Sequence, residues 1–255
     1  MNTTKQAFHL NDKNRVEVYD EASDVVVYDV EKHEIVTAST IFSKDAFETF
    51  PTFSPDGKTL YFCTAEAHPI PQEYSEVKYN LCSISFDPAT RTFGTQVDTL
   101  YNAKSGGMSA SFPRVSPDGR YLLYTLSGYG NFSIWHKEAN LWLLDLTSGD
   151  LRELSEVNSD DTESFHNWSS NSRWFVFSSR RGDGLYTRLY LASMDENGKI
   201  SKPFLLPQED TETYYDRSVY SYNVPDFTSE PIKIDTRVFE KKITSKERIQ
   251  VQAKK

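Results

Sequence analysis

Two stretches of sequence decide the fold, and both contain the tetrapeptide SPDG. Residues 50–58 read FPTFSPDGK, and residues 112–120 read FPRVSPDGR. A third stretch, residues 165–173, reads FHNWSSNSR and aligns with the other two without a gap. An apolar strand pattern follows each stretch, at residues 59–65, 121–127 and 174–180. This spacing predicts a repeat architecture in which each unit is one blade of four short antiparallel strands.

The tetrapeptide has specific turn chemistry. Proline presets φ at the first turn position, aspartate bonds its own backbone, and glycine accepts a positive φ. A tight hairpin is therefore predicted between the innermost strand and the next strand of each blade. The residues that form it are Pro55, Asp56, Gly57, Pro117, Asp118 and Gly119. In the third unit, Asn171 tolerates the left-handed conformation, so the turn is expected in a weaker form.

The strands after these turns are apolar on both faces. Leu60 and Phe62 fall on one side of the first such strand, and Tyr61 falls on the other. A blade packed between two neighbours has no wet face, unlike the sheet of a simple sandwich. A second apolar strand recurs downstream, at residues 80–87, 140–146 and 188–195, and once at residues 24–30. The sequence thus predicts an all-β fold of stacked blades.

Composition and charge exclude several classes of partner. The 255 residues are 14% aromatic, which favours pleated β surfaces, and carry a formal net charge of −9. An acidic surface repels phosphate backbones, so no nucleic acid partner is expected. The sequence has no apolar run of about 18 residues that spans a membrane. Residues 1–9, MNTTKQAFH, lack the apolar core of a signal peptide.

The phrase F-P-x-[FV]-S-P-D-G-[KR] followed by an apolar strand resembles the WD-like repeat of the TolB-like β-propellers. Residues 177–186, FSSRRGDGLY, followed by RLY at 188–190, resemble a second signature of that family. The resemblance covers residues 24–195. It implies a β-propeller and a place among uncharacterised bacterial envelope proteins, which are often exported or lipid-anchored. A periplasmic or cell-envelope location is therefore an expectation from resemblance.

Propellers of this family usually have six blades, and this chain supplies fewer. We predict a partial blade at residues 1–36 and three full blades at 37–100, 101–157 and 158–210, followed by a return segment and charged tail at 211–255. The fold is therefore expected to be a partial or open propeller. Residues 202–227 are expected to be ordered and to return across the propeller. Residues 235–255 are expected to form a short helix or a frayed end.

The channel face offers the first candidate site. Repeat alignment places Thr52, Arg114 and Asn167 at equivalent positions on the innermost strands, with His166 beside Asn167. In a regular strand, Phe50, Phe112 and Phe165 share the face of these residues. Arg114 either binds a ligand or pairs with a carboxylate for structural reasons. His166 is either a hydrogen-bonded structural group or a ligand.

The long loops offer the second candidate site. Tyr74, Tyr129 and Trp135 are candidate anchors for a partner, since Tyr and Trp are enriched in interface hot spots. The alternative is that they only cover blade edges. Arg180 is interpreted as a structural anchor, which holds a loop through bonds to carbonyls or to Asp183, in preference to a role in partner binding.

Cofactor and catalytic motifs are missing from the sequence. The five histidines form no HxxxH or HxH pair, so neither a metal nor another cofactor is predicted. The nucleophile elbow GxSxG is absent; its nearest approach is GMSAS at residues 107–111. Cys63 and Cys82 are interpreted as buried free thiols, and a cross-strand disulfide is the alternative.

These observations favour a non-enzymatic binding or scaffold module of the cell envelope, which uses its loops or its channel mouth to bind a protein or ligand. A rival hypothesis is a glycan- or small-ligand-binding protein or an enzyme with its site in the channel. An enzyme there needs two or more carboxylates facing one pocket. A third hypothesis is a purely structural segment of a larger protein.

Overall fold

The computed structural model describes the backbone of residues 2–12 and 15–254, and the side chains of residues 17–210 and 213–253. The expectation for residues 1–9 therefore falls partly outside the described backbone and wholly outside the described side chains. The strands before the first blade are β1 Asn2–Asp12, β2 Arg15–Val25, β3 Val27–Asp29 and β4 Glu34–Val36. β1 and β2 pair as a two-stranded antiparallel hairpin, hereafter the N-terminal hairpin.

Three four-stranded antiparallel sheets follow in chain order, and each is a meander of consecutive strands. Blade 1 contains β5 Ala46–Phe53, β6 Thr59–Glu66, β7 Asn80–Asp87 and β8 Thr92–Tyr101. Blade 2 contains β9 Ser109–Val115, β10 Tyr121–Ser127, β11 Asn140–Asp145 and β12 Leu151–Glu153. Blade 3 contains β13 Glu163–Trp168, β14 Trp174–Ser179, β15 Arg188–Ser193 and β16 Phe204–Leu205.

Helices are short and lie between or after the blades. They are α1 Ala103–Gly106, α2 Thr211–Arg217 and α3 Arg237–Thr244, with 3-10 turns at Tyr74–Glu76 and Ser133–Trp135. No helix within the described residues is long and apolar enough to cross a membrane. The predicted all-β class and the four-stranded blades are confirmed, whereas the predicted blade boundaries stay predictions.

The blades pack face to face, because successive side chains of a strand point to opposite faces. One core lies between blades 1 and 2, where Tyr61 and Cys63 meet Leu122 and Tyr124. A second core lies between blades 2 and 3, and contains Leu123, Leu143, Phe175 and Phe177. A third core, on the other face of blade 1, contains Val25, Ile41, Leu60, Phe62, Cys82 and Ile84. The prediction that the central strands are buried on both faces is confirmed.

The strand register rules out the alternative in which Cys63 and Cys82 form a disulfide. Cys63 lies opposite Leu81, and Cys82 lies opposite Phe62, so the two cysteines occupy adjacent register positions. A shift of one residue turns a side chain to the opposite face of the sheet. Cys63 therefore packs in the core between blades 1 and 2, and Cys82 packs in the core on the other face. Both are free, buried thiols and form no disulfide.

The SPDG hairpins have the chemistry that the sequence predicts. In the first, the Asp56 carboxylate accepts hydrogen bonds from the Ser54 hydroxyl at 2.6 Å and the Lys58 amide at 3.0 Å, while Gly57 has φ of +71°. Asp118 and Gly119 repeat this arrangement in blade 2. In blade 3 the expectation that Asn171 adopts the left-handed conformation is wrong: the left-handed residue is Ser172, with φ of +58°. The Asn171 side chain takes the place of the aspartate as acceptor.

A strand near the C-terminus pairs with a strand that precedes blade 1. β17, Gln252–Lys254, pairs in parallel with β4, so that β17, β4 and β3 form a three-stranded sheet. The predicted helix in the tail is present as α3, but the expectation of only a helix or a frayed end was incomplete. An edge strand such as β4 offers unpaired backbone N–H and C=O groups, and the end of the chain satisfies them.

Candidate functional site

The innermost strands of the three blades share an irregularity at their phenylalanines. Register shifts interrupt β5 between Thr49 and Thr52, and corresponding shifts interrupt β9 and β13. At these bulges Phe50, Phe112 and Phe165 have φ of +50°, +53° and +27°. A bulge adds an unpaired residue and re-aims its side chain, so the regular alternation assumed in the sequence does not hold there.

The re-aimed rings contact each other from blade to blade. The ring centroids of Phe50 and Phe112 are 4.3 Å apart, and those of Phe112 and Phe165 are also 4.3 Å apart. A positive φ is strained for a bulky residue and costs about 1–3 kcal/mol. Contact among the rings offsets that cost. We call Phe50, Phe112 and Phe165 the phenylalanine stack, and the candidate site lies against it.

A cavity of about 110 Å³ lies beside the stack. It brings together three of the predicted channel residues with part of the tail. Its lining consists of Phe112, Arg114, Phe165, His166, Asn167, Val224, Pro225 and Asp226. Thr52, the predicted equivalent in blade 1, does not line this cavity. Its Cα partner in the sheet is Tyr61.

Arg114 is the cationic group of the cavity lining. One of its guanidinium N–H groups donates to the carbonyl oxygen of Pro113 at 3.0 Å, and its other donors face no bonded acceptor among the described residues. Burial lowers the pKa of Arg114, while the negative charge of Asp226 acts in the opposite direction. No described carboxylate lies within ion-pair distance of it. Arg114 therefore presents a partly desolvated charge with unused donors.

His166 is a buried, neutral histidine. Its Nε2 lies 2.9 Å from the carbonyl oxygen of Leu123, which requires the proton on Nε2. Burial lowers its pKa from 6.5 to about 3, although the carbonyl contact opposes this shift. Nδ1 consequently keeps a lone pair, and it has no hydrogen-bond partner among the described residues. His166 therefore adds no positive charge to the cavity lining, and its buried Nδ1 is not exposed to the cavity.

Asn167 connects the cavity to the tail. Its side-chain amide donates to Oδ1 of Asp226 at 2.8 Å. The preceding residue, Pro225, is buried, although most of the neighbouring tail is exposed. A segment far away in sequence thus enters the site through one carboxylate and one apolar residue.

The predicted loop anchors lie elsewhere and are engaged within the chain. The Tyr74 ring stacks on Tyr19 of the N-terminal hairpin with centroids 5.8 Å apart. The Tyr129 hydroxyl donates to Glu17 of the same hairpin at 2.7 Å. The structure therefore brings Tyr74 and Tyr129 together under the hairpin and away from the cavity.

Trp135 lies at a different edge, against Arg180. The Arg180 guanidinium carbon is 3.7 Å from the centroid of the Trp135 ring. The same guanidinium donates to the carbonyl oxygens of Gly184 and Leu185 at 2.6 and 3.0 Å. These are the kind of loop-anchoring bonds that the sequence interpretation gave to Arg180. A second pocket of about 120 Å³ beside this pair is also lined by Ser221 and Asn223 of the tail.

Sequence reasoning missed the residues that hold the tail. Arg188, Ser178 and Thr187 all contact it, and Asp226 enters the cavity. Arg188 belongs to the repeat signature RLY at residues 188–190, but this signature does not indicate that Arg188 binds carbonyl oxygens of the tail. No local pattern marked Asp226, because its partner Asn167 is distant in the chain.

Glu48, on the innermost strand of blade 1, lies in an environment that no local sequence pattern predicts. Glu48 is 2% exposed, and its Oε2 has no hydrogen-bond partner among the described residues. Burial raises its pKa to about 7, and the nearby negative charge of Asp24 adds to this shift. Glu48 lies on β5, but it does not line the cavity beside Arg114.

Comparisons with known proteins give structural similarities at low sequence identity. No protein-family model matches the chain, and no curated protein matches it significantly. TolB from Acinetobacter baumannii is 18% identical, with a TM-score of 0.46 over 75% of this chain and 39% of that chain. A puromycin-hydrolyzing peptidase from Mycobacterium tuberculosis is 13% identical, with a TM-score of 0.47 over 78% of this chain and 28% of that chain.

The β-propeller domain of the Trilobed protease from Pyrococcus furiosus is 16% identical, with a TM-score of 0.39 over 65% of this chain and 44% of that chain. The chain spans less than half the length of each of these three structures. All three similarities have TM-scores below 0.5, so the fold assignment rests on the strand order and the packing of the sheets. The chain is a partial β-propeller of three complete blades, with a repeat that resembles that of the TolB-like propellers.

Proposed function

We propose that the chain is a non-enzymatic binding module of the bacterial cell envelope, with its site at the channel mouth around Arg114. The observation that carries the proposal is the state of this arginine. It is partly desolvated, it lines a cavity, and most of its donors are unused. Guanidinium groups recognise carboxylates and phosphates through pairs of parallel hydrogen bonds. An anionic group of a protein or ligand therefore fits this position.

The rest of the lining supports recognition of one anionic group in an otherwise apolar setting. The phenylalanine stack supplies apolar surface, and neutral His166 adds no second positive charge. Ligand sites are typically apolar with a few convergent polar groups. The cell-envelope location is part of the proposal and is supported by the repeat resemblance.

The channel mouth is favoured over the loops because the loop aromatics already have partners. Tyr74 and Tyr129 contact the N-terminal hairpin, and Trp135 contacts Arg180. An enzyme in the channel is less well supported, because acid–base cleavage of a glycan needs paired carboxylates. Among the residues lining this cavity, Asp226 is the carboxylate, and Asn167 already binds it.

Capture and titration test the proposal. The full chain is immobilised, solubilised bacterial envelope extract is passed over it, and retained proteins are identified by mass spectrometry. Each is then purified and titrated by calorimetry against the wild type, Arg114→Gln and the control Arg120→Gln. Arg120 is a half-exposed arginine that pairs with Asp145 in the outer part of blade 2.

We expect Arg114→Gln to weaken binding by about tenfold or more, since a charge-assisted hydrogen bond contributes about 1.5–3 kcal/mol. Arg120→Gln should bind like the wild type. Equal affinity of the wild type and Arg114→Gln, with matching thermal unfolding, would show that the site lies elsewhere. If none of the proteins retained from the extract binds the wild type in the titration, the proposed binding role itself is contradicted.

A further inference from the structure

A segment of the tail, residues 218–226, runs along blade 3 to the channel mouth; we call it the strap. Arg188 fixes its outer end through backbone carbonyls. The guanidinium donates to the carbonyl oxygens of Tyr220 at 2.7 Å, Ser218 at 3.1 Å and Tyr215 at 3.3 Å. One buried arginine thus binds three main-chain acceptors, none of which depends on the identity of a side chain.

The middle of the strap is also held mainly by its backbone. The Ser178 hydroxyl lies within hydrogen-bond distance of the carbonyl oxygens of Asn223, at 2.6 Å, and Tyr222, at 3.0 Å. The Tyr222 amide donates to the carbonyl oxygen of Thr187 at 3.1 Å. The Thr187 hydroxyl makes a side-chain contact, a bond of 2.8 Å to Oδ1 of Asn223.

The inner end of the strap supplies the more selective contacts. Pro225 is buried against the cavity, and Asp226 accepts the hydrogen bond from Asn167. The charge of Asp226 also acts on Arg114. The specific elements are therefore a compact apolar residue followed by a carboxylate.

The strap buries little of its own side-chain surface. Val219, Tyr220 and Val224 are 69%, 70% and 70% exposed. A segment that belongs to a core packs apolar side chains inward, and a fully buried side chain of this size contributes about 1.5–3 kcal/mol. At these three positions the strap therefore gains little stabilisation from burial of its side chains. Its attachment is of the kind that proteins use to bind extended peptides, where main-chain bonds give affinity and a few pockets give specificity.

We infer that the groove formed by Arg188, Ser178, Thr187 and Asn167 binds an extended peptide segment with an acidic residue, and that the strap is a built-in occupant which such a ligand displaces. This inference rests on the proposed function and names the ligand class of the same site. A tethered occupant competes at an effective concentration in the millimolar range, so weakening the strap raises the apparent affinity for an external peptide.

Fluorescence polarisation tests the inference with a defined probe, a fluorescein-labelled synthetic peptide with the sequence of residues 217–228, RSVYSYNVPDFT. It is titrated with the full chain as wild type, as Asp226→Ala and as the control Asp235→Ala. Asp235 is an exposed aspartate of the tail that pairs with Arg237. We expect Asp226→Ala to bind the peptide about tenfold more tightly than the wild type or Asp235→Ala.

A second peptide, in which asparagine replaces the aspartate at position 226, is expected to bind Asp226→Ala about tenfold more weakly than the first. Equal binding of the two peptides would overturn the acidic preference. No binding to Asp226→Ala, or equal binding to Asp226→Ala and the wild type, would overturn the displaceable strap. The capture experiment tests the role of Arg114, whereas the peptide titration tests the strap. If a captured partner depends on Arg114 but the peptide does not bind as expected, this inference is overturned and the proposed function stands.

Discussion

Asn167 and Asp226 are joined by a hydrogen bond of 2.8 Å between the side-chain amide of an innermost strand and a carboxylate of the tail. The two residues belong to distant parts of the chain, and their contact brings the strap to the channel mouth. Arg114 lies in the same cavity lining with unused donors. This contact therefore decides whether the candidate site is covered or open.

Replacing Asn167 by aspartate should release the strap. Asn167→Asp places two carboxylates against each other in place of a donor and an acceptor, and like charges at this distance repel. We expect the Tyr222 amide, which donates to Thr187, to exchange its hydrogen about tenfold faster or more. Hydrogen exchange followed by mass spectrometry measures this. Asn171→Asp is the matched control, because Asn171 serves only as an acceptor in its hairpin turn; equal exchange in both variants would contradict the prediction.

Removing the central ring of the phenylalanine stack should cost much of the stability of the fold. Phe112 is 3% exposed and contacts both Phe50 and Phe165. Phe112→Ala should lower the free energy of unfolding by about 3–5 kcal/mol, because it leaves a cavity while alanine keeps the strained positive φ. Phe204→Ala, at a residue 42% exposed, should cost about 1 kcal/mol or less. Urea unfolding compares the two, and similar losses would mean that the stack does not stabilise the blades.

The neutral state of His166 predicts a loss of stability in acid. Its folded-state pKa of about 3 lies below the ordinary value of 6.5, so the unfolded chain takes up the proton first. The stabilising contribution is complete above pH 6.5 and is lost as the pH falls toward 3. Between about pH 7.5 and 4.5, the wild type should lose about 2–3 kcal/mol more unfolding free energy than His166→Gln. Parallel losses in the two proteins, measured by urea unfolding, would rule out this contribution.

The raised pKa of Glu48 predicts the opposite dependence, a loss of stability as the pH rises. Its pKa is raised from 4.5 to about 7, so the folded protein holds this proton more tightly than the unfolded chain. Stability is therefore lost as the pH rises from about 4.5 through 7. From about pH 5 to 8, the wild type should lose about 1–3 kcal/mol relative to Glu48→Gln. Asp45→Asn, at an exposed carboxylate, is the control and should track the wild type.

The two cysteines should be inert until the protein unfolds. Burial raises the pKa of the Cys82 thiol to about 11 and raises that of Cys63 as well. Because the thiolate is the reactive form, a thiol-specific reagent at about pH 8 should label neither residue in the folded protein and both in guanidinium chloride. Dithiothreitol should leave the melting temperature unchanged. A denatured sample without free thiols would contradict the register that separates the two residues.

Much of the fold is predictable from local chemistry. The turns at Asp56 and Asp118 need an acceptor next to a residue with positive φ, and both requirements are written in adjacent residues. Burial on both faces follows from the continuous apolar run around Tyr61. Arg114 and Asn167, which the alignment of repeat units puts at equivalent positions, both line one cavity.

Other features depend on contacts that no local pattern records. The bulges at Phe50, Phe112 and Phe165 arise where three rings from three blades meet, and this overrides the alternation of a regular strand. Thr52 is excluded from the cavity although its sequence position is equivalent. Tyr74 and Tyr129 have internal partners in the N-terminal hairpin.

The sequence by itself determined the repeat, the turn types, the buried faces of the strands and the acidic character of the surface. Each of these depends on residue type and short spacing, so neighbouring residues suffice to specify it. The tertiary structure alone decided which face each cysteine occupies, the neutral state of His166, the raised pKa of Glu48 and the position of the strap. These depend on desolvation and on hydrogen bonds between distant segments, which exist only once the blades have packed.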